Sequence, residues 1–477
     1  MRVLFCTAEC SPFFKTGGLG DVAGALPKEL KRNGVDVRVV LPFFSKISQK
    51  FKDQCQDIVN FTVEVGWRKQ YCGIKYLNHE GIDYYFIDNL YYFDRPNIYG
   101  DYDDGEKFAF FQQAIIEMME KIDFIPDVMH LNDHHTAMIP FLLKEKYGWV
   151  NSFNHIRKVL TIHNLEFQGQ YGPDILPEVF GMSTERFEDG TLRFNEAVNY
   201  MKAGILYADK ITTVSPSYAR EIQTAEFGFG LDPILRMESH NLSGILNGID
   251  YDVFNPETDW RLNNHYNVDN IGVKQLNKRE LQERLGLPIR DDVPLIGMVS
   301  RLTYQKGFHV LLQEMENLLQ FDVQVVLLGT GDAMFEQQFA YFGYKYPDKA
   351  SINISFDETL AQQIYAGSDL FLMPSATEPC GLSQMMAMRY GTLPIVHEIG
   401  GLRDSVQPYN PGNGEGTGFG FNNFQPYYLM EVIKKAIFLY WDERETFENV
   451  MRQAMRKDFS WQQSSQQYIA LYNGLHS

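Results

Sequence analysis

The fold is decided by residues 2–43, which read RVLFCTAECSPFFKTGGLGDVAGALPKELKRNGVDVRVVLPF. The first seven of them are a short apolar run typical of a buried strand. Residues 21–34 carry apolar side chains at helical spacing and end in Asn33-Gly34, a helix stop. The run VDVRVVLPF then predicts a second strand. A strand, a helix and a strand in this order predict a parallel β-sheet.

The same alternation continues in both halves of the chain. Strand-like runs that end in polar residues are DVMHLND, KVLTIHN and KITTVS in the first half, and PLIGMVSRL, VQVVLLGTG and LFLMPS in the second. A helix is predicted over 308–320, whereas residues 255–293 are polar with little periodicity. We therefore expect two doubly wound α/β domains with a boundary near 245–255. Ligands of open α/β sheets bind beyond the carboxyl ends of the strands, so the polar strand ends are candidate site residues.

Composition excludes several classes of partner. The chain has 477 residues and a formal net charge of −18, which disfavours both nucleic acid and an anionic membrane surface. No stretch reaches the ~18 apolar residues of a membrane span, and the first residues lack the pattern of a signal peptide. The five cysteines have irregular spacing, which predicts reduced thiols in a cytoplasmic protein.

The glycine-rich segment 13–24, FFKTGGLGDVAG, fits neither common nucleotide-binding pattern. Gly18, Gly20 and Gly24 are spaced one residue too widely for the dinucleotide fingerprint, and Lys15 precedes the glycines instead of following them. We expect the glycines to permit positive φ angles and close backbone approach, next to a helix start that favours an anion or a polyol. The alternative is a tight strand-to-helix turn without a ligand.

Two further clusters follow predicted strands in the second half. Arg301 and Lys306 lie in SRLTYQKG, where together they suit a diphosphate, although each residue alone could be a surface ion-pair partner. In PSATEPCGLSQMMAMRYG, Glu378 lies in a predicted loop and could accept hydrogen bonds from sugar hydroxyls. Cys380 precedes a predicted helix, where it is either an activated thiol or a packing residue.

The motifs KTGGLGDV, ILNGID, SRLTYQKG and EPCGLSQMMAMRYGT resemble those of the glycogen and starch synthase family that uses ADP-glucose. The resemblance covers essentially the whole chain. It implies the GT-B fold, in which two Rossmann-like, doubly wound α/β domains face each other across a deep cleft that holds the active site. We accordingly predict an N-terminal domain over 1–248, a C-terminal domain over 249–457, and a terminal helix over 458–477 that crosses back to the first domain.

The resemblance also assigns roles to individual residues. It places Arg301 and Lys306 at the departing ADP, and His163 and Glu378 at the reacting glucose. The remaining candidates for substrate binding are Lys15, Gly18, Asp21, Asp133, Asn247, Phe356 (as an aromatic that stacks on adenine), Cys380, Gly381, Leu382 and Ser383.

Two positions depart from patterns seen in related transferases. His134 in the stretch NDHH, which also contains His135, stands where the family commonly has Trp. Met386 stands where other retaining transferases carry a second glutamate, as is common in this branch of the family.

The implied reaction is a retaining transfer of glucose from ADP-glucose to the non-reducing-end 4-hydroxyl of an α-1,4-glucan. No cofactor and no metal are expected; Asp-x-Asp within DYDD at 101–104 is interpreted as an acidic solvated loop. Two alternatives remain open: another enzyme on the same fold, such as a glucan phosphorylase or a sugar epimerase, and a non-catalytic glucan-binding protein. The residues alone do not decide between ADP and UDP, nor do they fix the oligomeric state.

Overall fold

The computed structural model describes residues 1–476 and divides into two compact units. The first unit comprises Met1–Ile245 together with the segment that begins at Trp461, and the second unit comprises Leu246–Ser460. The predicted domain limits at 248 and 457 differ from these limits by three residues each.

The first unit alternates strands and helices from its first residues. Its strands are β1 (Arg2–Cys6), β2 (Asp36–Pro42), β3 (Gln56–Val65), β4 (Arg68–His79), β5 (Ile82–Asp88), β6 (Val128–Asn132), β7 (Arg157–Ile162), β8 (Gln170–Tyr171), β9 (Arg193–Phe194), β10 (Ala197–Asn199), β11 (Lys210–Thr213) and β12 (Leu242–Gly244). Its helices before residue 246 are α1 (Gly18–Arg32), α2 (Gln49–Gln54), α3 (Leu90–Phe93), α4 (Asp104–Lys121), α5 (Ile139–Glu145), α6 (Ile175–Glu178), α7 (Glu185–Glu188), α8 (Tyr200–Tyr207), α9 (Pro216–Glu221) and α10 (Asp232–Met237).

The main sheet of the first unit has the strand order β12-β11-β7-β6-β1-β2-β5-β4-β3. Neighbouring strands are parallel except that β4 runs antiparallel to both β5 and β3. Strand β1 lies in the middle, where Val3 pairs with Val37 on one side and with Val128 on the other. Its side chains from Val3 to Cys6 are fully buried, as expected of a central parallel strand covered on both faces. Strands β8, β10 and β9 form a small separate sheet.

Helix α1 begins earlier than predicted, because Gly18 and Gly20 belong to the helix. The expectation of positive φ at these glycines is wrong: Gly18, Gly20 and Gly24 all have ordinary helical backbone. At two of these positions, close approach of the preceding segment explains why the residue is glycine. A Cβ at Gly20 would lie 2.3 Å from Cβ of Lys15, and one at Gly24 would lie 2.8 Å from the carbonyl oxygen of Ser11. The glycines therefore let α1 pack directly on the segment that precedes it.

The second unit contains one parallel sheet with helices between its strands. Its strands are β13 (Leu295–Val299), β14 (Gln324–Leu328), β15 (Ala350–Asn353), β16 (Leu370–Met373), β17 (Leu393–His397) and β18 (Phe419–Phe421). Its helices are α11 (Lys274–Arg284), α12 (Phe308–Leu312), α13 (Met315–Leu318), α14 (Ala333–Lys345), α15 (Glu358–Gly367), α16 (Ser383–Arg389), α17 (Gly400–Ser405), α18 (Pro426–Asp442) and α19 (Arg444–Arg456). The strand order is β15-β14-β13-β16-β17-β18.

The second unit differs from the sequence-based prediction at two places. The single helix predicted over 308–320 is two short helices, α12 and α13. Helix α11 lies inside the polar segment 255–293, where the sequence shows little periodicity. The helix is rich in charged residues, so no apolar pattern reveals the side chains that it buries. One of these, Leu281, packs in a cluster with Leu295 of β13 and Ile364 of α15.

The last helix, α20 (Trp461–Gly474), belongs to the first unit. It packs beside α1, where the Gln466 side chain donates to Oδ1 of Asn33 at 2.9 Å. The hydroxyl of Tyr472 lies 2.5 Å from Nδ1 of His130 on β6, and both side chains are buried. No helix in the described part of the chain is long and apolar enough to cross a membrane.

Candidate active site

An ion pair joins two strand ends in the second unit. The ammonium of Lys306 donates to Oε2 of Glu378 at 2.9 Å and to Oε1 at 3.2 Å. The hydroxyl of Ser375 donates to the same Oε2 at 2.9 Å. Lys306 follows β13 and Glu378 follows β16, and these strands are parallel neighbours. The two loops therefore meet at the carboxyl edge of the sheet, where ligands of such sheets bind.

Gly307 fixes the position of the Lys306 loop. Its φ is +79°, and a Cβ there would lie 1.8 Å from the carbonyl oxygen of Pro374. The N–H of Ala376 donates to the carbonyl of Gln305 at 2.9 Å, which ties the same two loops together. Only glycine allows this contact, because it lacks the Cβ and tolerates the left-handed backbone.

Arg301 supplies a second positive charge that no acidic side chain satisfies. Its side chain is exposed, and within residues 1–476 its guanidinium forms no ion pair. Lys306, in contrast, is already paired with a carboxylate that is buried. The segment after β13 thus carries one guanidinium without an ion pair and one half-buried ammonium, both of which could serve an anionic ligand.

The segment between Glu378 and α16 carries backbone donors. Gly381 has a φ of +75°, Leu382 is the N-cap residue, and α16 begins at Ser383. In the described chain, the N–H groups of these three residues donate to no backbone carbonyl. They are consequently available to a ligand.

Cys380 is buried, and this burial raises the pKa of its thiol to about 12. A thiol with so high a pKa is not a nucleophile at neutral pH, so the packing interpretation is favoured over the activated thiol. A Cβ added to Gly401 would lie 2.1 Å from the carbonyl oxygen of Cys380, which shows how closely the two segments pack.

The side chains of Asn247 and Phe356, two predicted binding residues, differ in their burial. Asn247 is buried, yet its Oδ1 has no hydrogen-bond partner among the described residues. A buried amide oxygen without a partner carries an energetic cost, which a hydrogen bond from a ligand would remove. The ring of Phe356 is 89% exposed, immediately before Asp357, which caps α15.

In the first unit, Asp133 and His163 are held together at the ends of β6 and β7. Oδ1 of Asp133 accepts the N–H of His163 at 2.7 Å, and Asp133 has the left-handed φ of +60°. Burial raises the pKa of Asp133 to about 7 and lowers that of His163 to about 3. The imidazole of His163 is therefore neutral at physiological pH.

The tautomer of His163 follows from Asn132. The side-chain nitrogen of Asn132 donates to the carbonyl of Cys6 at 2.9 Å, so its Oδ1 faces the other way as an acceptor. Nε2 of His163 lies 2.8 Å from this oxygen and must carry the proton. Nδ1 then keeps its lone pair, which can accept a hydrogen bond from a hydroxyl group.

The other two histidines of this region belong to a cluster of aromatic rings. The rings of His134 and His135 lie 3.9 Å apart, and His135 stacks on Tyr99 at 4.9 Å. Burial lowers the pKa of both imidazoles, that of His134 to about 4. A Cβ at Gly169 would lie 2.9 Å from Cδ2 of His134, so the position that commonly holds Trp is closely packed.

Glu9 was not predicted, although it organises the KTGG segment. It is buried and accepts the N–H of Thr16 at 2.9 Å and the Thr16 hydroxyl at 2.7 Å. Burial raises its pKa. Lys15 and Asp21 form an exposed ion pair of 2.8 Å in the same segment. Glu9 lies three residues after the end of β1. Its position at a polar strand end is the sequence feature that could have identified it as a candidate site residue.

The carboxylates of the DYDD segment are not solvated, contrary to the expectation. Asp103 pairs with Arg95 at 2.8 Å, and Asp101 and Asp104 pair with the buried Lys107 at 3.2 and 3.0 Å. Their oxygens are occupied by cations of the chain itself, so the segment has a structural role.

Comparison with known proteins identifies the family. A sequence profile described as "Starch synthase catalytic domain" matches residues 2–237, and one described as "Glycosyl transferases group 1" matches residues 280–453. A protein named glycogen synthase from Streptococcus sanguinis is 61% identical over 475 residues, which cover the whole of both chains. The chain belongs to the glycogen and starch synthase family. A glycogen synthase from Ligilactobacillus salivarius is 60% identical over 476 residues, again with complete coverage of both chains.

Solved structures agree with this assignment. The catalytic domain of starch synthase IV from Arabidopsis thaliana, bound to ADP and acarbose, matches with a TM-score of 0.92 and 32% identity over 99% of each chain. A sucrose-phosphate synthase from Thermosynechococcus elongatus matches with a TM-score of 0.63 at 16% identity over 100% of this chain and 99% of its own, which shows the shared fold alone. The predicted family and the predicted GT-B class, with two Rossmann-like domains, are confirmed.

Proposed function

We propose that this family member transfers glucose from ADP-glucose to the non-reducing-end 4-hydroxyl of an α-1,4-glucan, with retention of the anomeric configuration. The observation that carries the proposal is the cluster of Lys306, Glu378 and Ser375, together with the exposed Arg301 in the same segment after β13 as Lys306. It combines cations for a diphosphate with a carboxylate for sugar hydroxyls. The description of the Arabidopsis starch synthase IV structure as bound to ADP and acarbose supports ADP as the nucleotide of the proposed donor.

The cations act on the leaving group. As the bond between the glucose C1 and the β-phosphate oxygen breaks, its electron pair passes to that oxygen, and negative charge grows there. Arg301 and Lys306 would stabilise this charge through charge-assisted hydrogen bonds. An ammonium has three donors, so Lys306 can keep Glu378 in place while it also donates to phosphate. Glu378 would then orient the donor glucose through its hydroxyl groups.

The first unit would supply groups that position the sugars. Nδ1 of the neutral His163 can accept a hydrogen bond from a sugar hydroxyl, and Asp133 holds this histidine in place. The acceptor 4-hydroxyl attacks C1 from the face that ADP leaves, and its proton passes to the departing phosphate. This route needs no carboxylate nucleophile, and we propose that it needs no metal ion, because the cations replace one.

The binding residues of the nucleotide sugar remain proposals from the resemblance. Lys15, with Gly18 and Asp21, is assigned to donor use, and Phe356 to stacking on adenine. The backbone donors of Gly381 to Ser383 are assigned to phosphate. Because the five cysteines are free thiols, we also propose that the protein works in the reducing cytoplasm.

The test is incubation of the purified protein with glycogen and either ADP-glucose or UDP-glucose, with measurement of the released nucleotide. We expect release with ADP-glucose and new α-1,4 linkages that amylase removes. A phosphorylase would instead release glucose 1-phosphate from glycogen in the presence of phosphate. An epimerase would leave the glucan unextended, and a non-catalytic binding protein would release no nucleotide with either donor. The same assay with excess chelator tests the absence of a metal requirement.

A further inference from the structure

The imidazole of His397, at the end of β17, is bonded to the segment that carries Glu378. His397 is buried, and its Nδ1 lies 2.7 Å from the carbonyl oxygen of Ser375. A carbonyl oxygen only accepts hydrogen bonds, so Nδ1 must carry the proton that it donates. Ser375 follows β16, the parallel neighbour of β17, and the bond therefore joins the ends of two adjacent strands. His397 thus holds the main chain three residues before Glu378.

Two phenylalanine rings fix the plane of this imidazole. Phe421 of β18 pairs with His397 in the sheet and stacks on it, with ring centroids 5.4 Å apart and an interplanar angle of 27°. Phe424 also stacks on it, at 4.9 Å and 25°. Stacking of this kind restrains the rotation of the ring. The direction in which Nδ1 points is consequently set by the aromatic contacts.

The side chain of Ser375 carries this restraint on to the carboxylate. Ser375 is buried, and its hydroxyl donates to Oε2 of Glu378 at 2.9 Å. Lys306 donates to the same oxygen at 2.9 Å and to Oε1 at 3.2 Å. Oε2 therefore receives two short hydrogen bonds, whereas Oε1 receives one longer bond. Each carboxylate oxygen has two lone pairs, so Oε1 keeps the capacity to accept from a sugar hydroxyl.

We propose that His397 is a positioning residue: it holds Ser375 so that the Ser375 hydroxyl occupies Oε2 of Glu378 and leaves Oε1 to the donor glucose. The inference rests on the proposed function, in which Glu378 orients that sugar. Loss of the Nδ1 donor would leave a buried carbonyl oxygen unpaired, and the loop would shift to find another partner. A shift of about 1 Å in a group that orients substrate is enough to cost about 10²-fold in rate.

The alternative is that the ring of His397 serves only to fill the aromatic cluster. His309 permits a comparison within that cluster. It stacks on Tyr304 at 4.3 Å and meets Phe424 edge-on at 5.8 Å. Its Nδ1, however, has no hydrogen-bond partner among the described residues. The two histidines share contact with Phe424 and differ in the bond to the Ser375 main chain.

The experiment compares the kcat of variants with ADP-glucose and glycogen. His397→Phe keeps an aromatic ring but removes the donor, and it should lower kcat about 10- to 100-fold. His397→Asn removes the ring, yet its amide N–H can take the place of Nδ1–H, so it should recover most of the lost kcat. The control His309→Phe should keep the wild-type kcat. All three should keep the wild-type affinity for glycogen, measured by retardation in native gels that contain glycogen, because Glu378 is assigned to the donor.

A double variant tests whether His397 acts through Ser375. Ser375→Ala should lower kcat, and Ser375→Ala/His397→Phe should lose less than the product of the two single losses, since residues that act through one contact are not additive. Full multiplication of the losses would show that His397 acts elsewhere. Equal losses in His397→Phe and His397→Asn would assign the effect to ring packing. Either result would overturn the inference.

Failure of the inference is distinguishable from failure of the proposed function. Without turnover by the wild type, the proposed function fails; with wild-type turnover by His397→Phe, only the inference fails. Crystal structures of the variants decide the inference without turnover. In His397→Phe, Oγ of Ser375 should lie more than about 3.5 Å from Oε2 of Glu378, whereas His397→Asn should keep this hydrogen bond. An unchanged distance in His397→Phe would contradict the positioning role, whatever the donor proves to be.

Discussion

The ammonium of Lys306 lies 2.9 Å from Oε2 of Glu378, with side chains only 19% and 7% exposed. The residues are 72 positions apart in sequence and meet because β13 and β16 are neighbours in one sheet. A mostly buried pair of this kind is coupled: removal of one partner leaves the other charge without compensation. The geometry of the proposed donor site thus depends on both residues together.

Lys306→Ala should lower kcat by about 10²- to 10³-fold, because it removes a donor to the growing charge on the leaving diphosphate. The affinity for glycogen in gels should change little, since this ammonium is assigned to the donor. Steady-state kinetics with ADP-glucose and glycogen measures the effect. Lys345→Ala, which breaks the exposed pair with Glu316, is the matched control. Near-normal turnover of Lys306→Ala would remove the leaving-group role.

Lys15→Ala should lower kcat/KM for ADP-glucose by about 10- to 100-fold, the loss expected for one hydrogen bond to a charged group. Its stability should stay close to that of the wild type, because the Lys15–Asp21 pair is exposed and contributes little. Kinetics and thermal unfolding together check this prediction, with the exposed Lys46→Ala as control. An unchanged kcat/KM would leave Lys15 without a role at the donor.

That Lys306 and Glu378 lie at the same edge of a sheet could be predicted, because all parallel strands place their carboxyl ends at one edge. Their direct contact also requires β13 and β16 to be neighbours, and the sequence does not give this strand order. The contact between Asn132 and His163 could not be predicted in the same way. It depends on the register in which Asn132 of β6 pairs with Thr161 of β7. That register is set by packing over the whole sheet and leaves no local signal.

The start of α1 could not be predicted from local sequence preference either. Glycine has a low intrinsic helix propensity, so local preference favours a loop at Gly18 and Gly20. The structure places both in the helix, and position 20 requires glycine because a Cβ there would collide with Lys15. Here a tertiary contact outweighs local preference. Helix α11 is missed for a different reason: four of the five side chains that it buries are polar or charged, so the sequence shows no apolar pattern.

Gly20→Ala should destabilise the protein by about 1–3 kcal/mol, because the new methyl group would overlap the backbone and Cβ of Lys15. Gly18→Ala is its matched partner: nothing lies within 4 Å of a Cβ at that position. Its stability should change by less than about 0.5 kcal/mol. If the open space serves the donor, the KM for ADP-glucose should still rise in Gly18→Ala. Equal unfolding midpoints in urea for both variants would contradict the packing argument.

Tyr472→Phe should lower the stability of the first unit by about 1–3 kcal/mol, because it leaves Nδ1 of the buried His130 without its partner. The ring itself is kept, so the packing of α20 changes little. Urea unfolding checks the prediction, and Tyr344→Phe, in which an 87% exposed tyrosine loses its hydroxyl, is the control. Identical unfolding curves for Tyr472→Phe and the wild type would show that the terminal helix does not depend on this hydrogen bond.

Asp133→Asn should remove a loss of stability that the wild type shows as the pH rises from about 4 to 7. The pKa of Asp133 is about 7 in the folded protein and about 4 in an unfolded chain, so the folded state holds the extra proton between these values. The carboxyl group consequently destabilises the folded state progressively as the pH rises from about 4 to 7, with no further change above.

Asparagine cannot ionise, keeps the oxygen that accepts the His163 N–H, and tolerates the positive φ. The variant should match the wild type near pH 4 and exceed its stability at pH 8 by on the order of 1–3 kcal/mol. The lowered pKa of His163 has the opposite sign, with stability lost as the pH falls towards about 3, but both proteins share it and it cancels in the difference. Urea unfolding at pH 4.5, 6 and 8, with the exposed Asp348→Asn as control, measures the difference. A difference that is independent of pH, or that grows towards acid, would show that Asp133 is ionised in the folded protein at neutral pH.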